Sequence, residues 1–215
     1  MIRRIGFAVL TLTLLHGAIA GQPVAEALPA KGMLLVATPE LRDPNFAKTV
    51  VLLLSYDADG AMGIIVNRRT DLALPEVVPD IEVPRNPRQL VHTGGPVSPE
   101  VLLMLFRSRD TSEHAVRIFG DVWVSDSKEL LERFAKNPKK NEFRVYTGYA
   151  GWAPRQLDAE IDRGDWIVLS ADGDIVFHHN PSEVWRSLAP PEDNPYVTRE
   201  RGLTPFSQHN GLWYD

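Results

Sequence analysis

Continuous apolar runs alternate with turn-forming segments along most of the chain. The runs 32–37 and 49–56 are rich in Val and Leu, which is typical of strands buried on both faces. The turn "DADG" separates the second run from the apolar run 61–67, so these two runs predict a β-hairpin. The segment "DPNFAK" predicts one helical turn. Further strands are predicted at "QLVHTGGP", "VLLMLF", "AVRIFGDVWVS", "FRVYTG", "WIVLS" and "IVF".

The predicted helices are short and few. Asp126 is the expected N-cap of the first helix, with Glu129 closing a capping box. A second helix is expected from Ala153 to just before Gly164, and a third over residues 182–188. Many strands interrupted by a few short helices predict an α+β fold in a single domain.

The stretch "TGYAGWAPRQLDAEIDRGDW" predicts a corner at which a strand becomes a helix. Gly148 and Gly151 allow a tight turn there, and buried aromatic rings at Tyr149 and Trp152 would fix it. The helix that follows buries one narrow stripe, and its charged residues are expected to face water: Arg155, Asp158, Glu160 and Asp162. An anion site at this helix start is the alternative. It is the weaker one, because Pro154 removes an amide and two rings crowd the approach.

The first twenty residues, "MIRRIGFAVLTLTLLHGAIA", have the three regions of a secretory signal peptide. Two arginines precede an apolar run that is too short to span a membrane, and an A-x-A pattern ends at Ala20. We therefore expect cleavage after Ala20 and a periplasmic or secreted protein. The expected organisation is a signal peptide at 1–20, a flexible mature N-terminus at 21–30, an α+β domain at 31–189 and a C-terminal extension at 190–215.

Charge and composition exclude several classes of function. The chain has 23 basic and 28 acidic residues and no cysteine. Loss of the leader would remove Arg3 and Arg4, giving a formal net charge of about −7, which disfavours binding to nucleic acid. Without cysteine the chain has no thiol nucleophile and no zinc knuckle. No cofactor, metal or membrane span is predicted.

The histidine pair His178-His179 is the nearest approach to a metal motif. Adjacent residues of a strand point to opposite faces, so at most one of these rings could line a given site. Neither H-E-x-x-H nor a G-x-S-x-G serine elbow occurs in the sequence. Two histidines at a strand end or on the surface are therefore the expected interpretation.

Six residues near predicted strand ends form the candidate binding groove: Asn67, Arg68, Gly94, Gly95, Tyr149 and Trp152. In a strongly bent sheet such strand ends converge, and grooves of this kind bind ligands. The alternative is that each residue serves local turn chemistry, which turns favour in any case.

Four motifs occur in order along the chain: "KGMLLVATPELRDPNFAKTVVLLL", "DGAMGIIVNR", "GGPV" and "GYAGWAPRQLDAEIDRGDW". Together they resemble the YqgE/AlgH family of bacterial proteins. The resemblance implies an α+β fold with a mixed, bifurcated, barrel-like sheet and a family label of transcriptional regulator. Family members usually have glycine where this chain has Ala153 and Arg155, and a histidine where it has Phe106.

Three functions follow from these observations as alternatives. The first is an exported, non-enzymatic protein that binds an unknown protein, peptide or small ligand. The second is an enzyme, such as a hydrolase, with a site assembled from scattered residues. The third is a DNA-binding regulator, which rests on the family label alone and which the acidity of the chain opposes.

Overall fold

The computed structural model describes residues 27–81, 90–111, 113–137 and 142–190. Its strands are β1 (Met33–Ala37), β2 (Val50–Asp57), β3 (Gly60–Ile65), β4 (Arg69–Ala73), β5 (Leu90–Thr93), β6 (Val97–Arg107), β7 (Val116–Phe119), β8 (Val122–Ser125), β9 (Phe143–Trp152) and β10 (Trp166–Ser170). Its helices are α1 (Leu74–Val77), α2 (Lys128–Ala135), α3 (Gln156–Asp162), α4 (Gly173–Val176) and α5 (Pro181–Leu188). In these ranges no helix is both long and apolar enough to cross a bilayer.

The strands form one sheet that curls into a half-barrel. The main strand order is β10-β1-β2-β3-β9-β6-β8-β7, and β5 joins β4 to β9 beside this path. The β5–β9 pair is parallel and the other pairs are antiparallel. The predicted α+β single domain with a mixed, strongly bent sheet is confirmed.

Two hydrophobic cores lie on opposite faces of the sheet. The main core contains the buried residues of β1, β2 and β3 together with Tyr146, Leu157 and three tryptophans. The second core contains residues of α1 and α2 with Met104, Phe106 and Val145. Val145 and Tyr146 belong to different cores because successive strand residues point to opposite faces. The strand β9 therefore carries side chains into both.

The helix α2, between β8 and β9, begins one residue later than the sequence suggests. Ser127, rather than Asp126, is the N-cap of α2, and its hydroxyl accepts a hydrogen bond from the Leu130 amide. The same hydroxyl donates to the Glu129 carboxylate at 3.0 Å. The predicted Asp126 cap is wrong because a cap must accept from an amide two or three residues later, and Ser127 has that position here.

The predicted glycine corner is also wrong in its geometry. Gly148 and Gly151 lie inside β9, which continues to Trp152, and α3 begins only at Gln156. Arg155 precedes the helix with a left-handed backbone, φ 62°. The turn is therefore made at Pro154 and Arg155, while Gly164 ends the helix as predicted, with φ 82°.

Two further elements differ from the sequence prediction. The segment predicted as the strand "IVF" contributes to α4, a helical turn that Asp172 caps by accepting from the Asp174 amide. The strand β4 was not predicted, because three of its five residues are exposed and no run of buried apolar residues marks it. The predicted leader and the predicted mature N-terminus up to residue 26 lie outside the described residues, as do residues 191–215.

Candidate functional site

Asn67 and Arg68, predicted as groove residues, bind the main chain of the loop 43–49. The Asn67 amide accepts from the Val50 amide at 2.8 Å and donates to a loop carbonyl at 3.0 Å. The Arg68 guanidinium donates to three loop carbonyls, those of Pro44, Asn45 and Ala47. Burial lowers the pKa of Arg68, and Asp43 partly offsets this effect. Both side chains therefore fix this loop against the sheet.

Gly94 and Gly95 lie where the end of β5 passes close to the main chain of β9. A Cβ atom on Gly94 would lie 2.3 Å from the Gly148 carbonyl oxygen, and one on Gly95 would lie 2.1 Å from the Tyr149 carbonyl carbon. These distances are far shorter than any van der Waals contact. Glycine is thus required here by close backbone approach.

Trp152 packs in an aromatic cluster with Phe46 and Trp166. The ring centroids of Phe46 and Trp152 are 5.8 Å apart, and those of Trp152 and Trp166 are 6.0 Å apart. Both indole N–H groups donate to one oxygen of Glu160, at 2.8 and 2.9 Å. The expectation that Glu160 faces water is wrong, since its carboxylate caps this cluster. Asp158, also expected to face water, accepts a hydrogen bond from the Tyr56 hydroxyl.

The six predicted residues therefore fall into two groups. Gly94, Gly95 and Tyr149 meet at the backbone crossing, as one group. Asn67, Arg68 and Trp152 form the other, since each contacts the loop 43–49 or the residue next to it. The Arg68 carbonyl links the two groups by accepting from the Thr93 amide at 2.9 Å. Trp152 contacts Phe46 of this loop, with ring centroids 5.8 Å apart.

A pocket of about 230 Å³ lies beside the second core instead. Residues 77–81 form one wall, residues 102–104 of β6 form the floor, and residues 125–128 with Leu131 form the opposite wall. Val145 closes the back. The walls are mainly apolar, so the pocket has the character of sites that bind the apolar part of a ligand.

The serine hydroxyls at the pocket already form hydrogen bonds within the protein. The Ser125 hydroxyl donates to the His114 carbonyl at 2.5 Å and accepts from the Ser127 amide at 3.0 Å. The Ser127 hydroxyl caps α2. Across the mouth, the ammonium group of Lys128 lies 3.8 Å from the Asp80 carboxylate, and both side chains are exposed. Such exposed pairs contribute little stability and separate readily.

The histidine pair follows α4 rather than a strand. The centroids of the His178 and His179 rings are 4.4 Å apart and the rings are tilted by 34°, which corrects the expectation that they point to opposite faces. In the described ranges, no group of three or more His, Asp or Glu side chains is placed to hold a metal ion.

A family model described as AlgH-like matches residues 34–191. The chain belongs to the AlgH-like family. A UPF0301 protein of Idiomarina loihiensis is 32% identical over 158 residues, which are 71% of this chain and 85% of that protein. Another, from Anaeromyxobacter sp. strain Fw109-5, is 36% identical over 183 residues, or 80% of this chain and 87% of that protein.

Two solved structures share the fold of this AlgH-like chain. The solution structure of AlgH from Pseudomonas aeruginosa is similar with a TM-score of 0.63 at 32% identity, over 73% of this chain and 85% of that one. The crystal structure of DIP2367 from Corynebacterium diphtheriae has a TM-score of 0.64 at 24% identity, over 80% and 93%. The second likeness shows the fold alone. The resemblance to the AlgH family read from the four motifs is confirmed.

Sequence reasoning on the AlgH-like chain missed the pocket because its walls come from segments distant in sequence. Leu131 is buried in the second core, but nothing local in the sequence indicates that β6 and α1 leave a cavity beside it. The stretch 74–81 contains two prolines, and it forms α1 and one pocket wall. Three apolar residues in this otherwise loop-like segment could have indicated that it packs against the core: Val77, Val78 and Ile81.

Proposed function

We propose that this AlgH-like protein is an exported, non-enzymatic binding protein whose pocket between α1, β6 and α2 holds a small molecule with an apolar body. The observation that carries the proposal is the pocket itself, about 230 Å³ with mainly apolar walls. A cavity of about 150 Å³ lined by apolar side chains is sufficient to bind benzene. The larger volume here suits a one-ring or two-ring molecule.

The polar groups of the pocket support binding rather than catalysis. The hydroxyls of Ser125 and Ser127 bind main-chain groups near the start of α2. They therefore stabilise this region and are not free to bind a ligand in the pocket. Lys128 and Asp80 remain at the mouth, where their weak pair can open. A polar group on the ligand would bind there while its apolar body occupies the interior.

The export part of the proposal rests on the leader-like pattern of residues 1–20. These residues precede the segment 34–191 that matches the family. An exported binding protein also agrees with a cysteine-free composition, because an oxidising compartment would leave such a chain chemically unchanged.

An NMR titration with indole tests the pocket. Indole is a neutral two-ring molecule, and we expect its chemical-shift effects to be concentrated at the amides of Val77, Leu102 and Leu131. Replacing Val77, which is partly buried at the pocket wall, by Trp should fill the space and abolish the effects. Val116→Trp is the matched control, because Val116 is 55% exposed on β7 and lies outside the pocket.

Equal indole binding by the wild type and Val77→Trp would contradict the proposal, as would shifts spread over the whole surface. Both variants should keep the wild-type amide spectrum outside the substituted region, which shows that they are folded.

A further inference from the structure

Four polar side chains lie on one face of three neighbouring strands. Arg69 of β4 is directly opposite His92 of β5, and His92 is directly opposite Tyr146 of β9. Arg144 lies two residues before Tyr146 on the same strand, so it points to the same face. This is the main-core face of β9, opposite to the face that contributes Val145 to the pocket.

The polar atoms of His92 and Tyr146 are buried and poorly satisfied. Their polar neighbours are the main chain of Leu90 and Val145, beside the His92 ring, and the Arg144 side chain, beside the Tyr146 hydroxyl. His92 is 5% exposed and Tyr146 is 0% exposed, with ring centroids 5.2 Å apart. Neither ring nitrogen of His92, nor the Tyr146 hydroxyl, makes a hydrogen bond of ordinary geometry within the described residues. Leaving such groups unpaired costs about 1 to 3 kcal/mol each, and native proteins rarely leave several together. The cluster therefore has hydrogen-bonding capacity that the protein itself does not fully satisfy.

The charges around this pair are positive. The Arg144 guanidinium donates to the carbonyls of Val176 and His178, and Arg69 is exposed. Within the described part of the chain, neither arginine forms an ion pair with a carboxylate. Burial, with smaller contributions from Arg144 and Arg69, lowers the pKa of His92 to about 4. Burial also raises the pKa of Tyr146 to about 12, partly opposed by Arg144. Both rings are consequently neutral near pH 7, and the two guanidinium groups supply the charge.

We propose that Arg69, His92, Arg144 and Tyr146 form a binding site for a small oxyanion, a carboxylate or a phosphate group. The Tyr146 hydroxyl and one His92 N–H donate to the anion, as neutral phenol and imidazole groups can. The guanidinium groups balance its charge, and hydrogen bonds to charged acceptors are the stronger kind. Among the described strands, β4 pairs with β5 alone, and it carries the exposed Arg69 at this edge of the cluster.

Titration with inorganic phosphate and, separately, with acetate tests the site and distinguishes the two sources of the oxyanion. The protein is kept in a buffer without phosphate or carboxylate, and the ¹⁵N resonances of the His92 ring are followed. We expect saturable shifts with at least one anion and a higher melting temperature, because a ligand that binds only the folded state stabilises it. Sodium chloride at matched ionic strength should produce neither effect.

Two variants and a control assign the effect to the cluster. Tyr146→Phe removes only a buried hydroxyl that makes no hydrogen bond of ordinary geometry, so it should fold, and it should bind the anion about tenfold more weakly. Arg69→Ala should weaken binding similarly, because it removes one of the two positive charges. Arg163→Ala removes an equal charge beside β10, at the far edge of the sheet, and should bind like the wild type.

An absence of His92 shifts with both anions would overturn the proposal and indicate an internal water only. Equal weakening by Arg69→Ala and Arg163→Ala would overturn it too, because it would show general charge attraction. Indole binding lies on the other face of the sheet and is measured at different amides. Its success or failure is therefore independent of this result.

Discussion

Glu160 is the residue on which two core tryptophans depend for hydrogen bonding. One carboxylate oxygen accepts from the indole N–H groups of both Trp152 and Trp166. The other accepts from the side-chain amide of Gln156 at 3.0 Å. Trp152 and Trp166 are 5% and 3% exposed, so water cannot easily replace this acceptor. A buried donor that loses its acceptor destabilises the folded state by the full desolvation free energy of the donor group.

Replacement of Glu160 by Ala should therefore lower the free energy of unfolding by about 2 to 4 kcal/mol, because two indole N–H groups lose their acceptor. Urea denaturation followed by tryptophan fluorescence measures the change. Asp162→Ala, at an exposed position of the same helix, should change stability by no more than about 0.5 kcal/mol. Similar losses in the two variants would contradict the prediction, because they would show that the two indole hydrogen bonds to Glu160 add no measurable stability.

His92 predicts a defined dependence of stability on pH. Its pKa is about 4 in the folded protein against an ordinary value of 6.5, so the unfolded chain takes up a proton first as pH falls. Above pH 6.5 the neutral ring makes its full contribution to the free energy of unfolding, about 3 kcal/mol. This contribution is lost as the pH falls from 6.5 to 4. The charged groups acting on the ring are Arg144 and Arg69, and both oppose its protonation.

Denaturation at several pH values between 4 and 7, in the absence of the anions above, measures this slope. His92→Phe should flatten it, because the variant has no group there to protonate. His179→Asn replaces an exposed histidine and should leave the slope as in the wild type. A slope that survives in His92→Phe would assign the pH dependence to other groups.

Sequence patterns identify which residues are buried better than they identify what those residues bind. Trp152 was expected to anchor its surroundings, and it does so in the main core. Its acceptor was assigned to the solvent face of the helix, because helical periodicity places Glu160 relative to α3 alone. Periodicity contains no information about the two indoles that approach from β9 and β10.

At the level of elements, the start of α3 carries a strained residue. Arg155 has φ 62°, a conformation that costs a residue with a side chain about 1 to 2 kcal/mol relative to right-handed backbone. The resemblance to the family indicates glycine as the usual residue there. Glycine adopts this conformation without steric cost, although its unfolded state has more entropy to lose.

We expect Arg155→Gly to raise the free energy of unfolding by about 0.5 to 1 kcal/mol, since relief of strain exceeds the entropic loss. Arg163→Gly is the matched control at the other end of α3. Arg163 has φ −75°, so the same substitution there relieves no strain and should destabilise. Thermal denaturation of both variants measures the difference, and a loss of stability in both would show that Arg155 is not strained.

Strands with long apolar runs were predicted correctly because burial on both faces is visible in the sequence. This holds for β1, β2 and β3. The prediction failed for β4, whose exposed polar residues are indistinguishable from a loop, and for α4, whose short apolar run fits a strand or a helical turn equally well. Only the contacts made by these segments in the folded chain decide their structure.

At the scale of the whole molecule, the curled sheet separates two candidate sites. The pocket for an apolar body lies beside the second core, and the proposed oxyanion cluster lies on the main-core face. The strand β9 joins them, because Val145 closes the pocket while Tyr146 belongs to the cluster. Neither site was predictable from the sequence, since each brings together strands and helices that are far apart along the chain.

The proposed export belongs to the whole chain and gives the last prediction. Protein isolated from native cells should begin at Gly21, because a signal peptidase cuts after small residues in the A-x-A pattern that Ala18 and Ala20 provide. N-terminal sequencing and intact mass measure this. Ala20→Arg should block cleavage and retain the leader, whereas Ile19→Leu, at the tolerant middle position, should be processed normally. A wild-type protein that keeps Met1 and is recovered from the cytoplasm would contradict export.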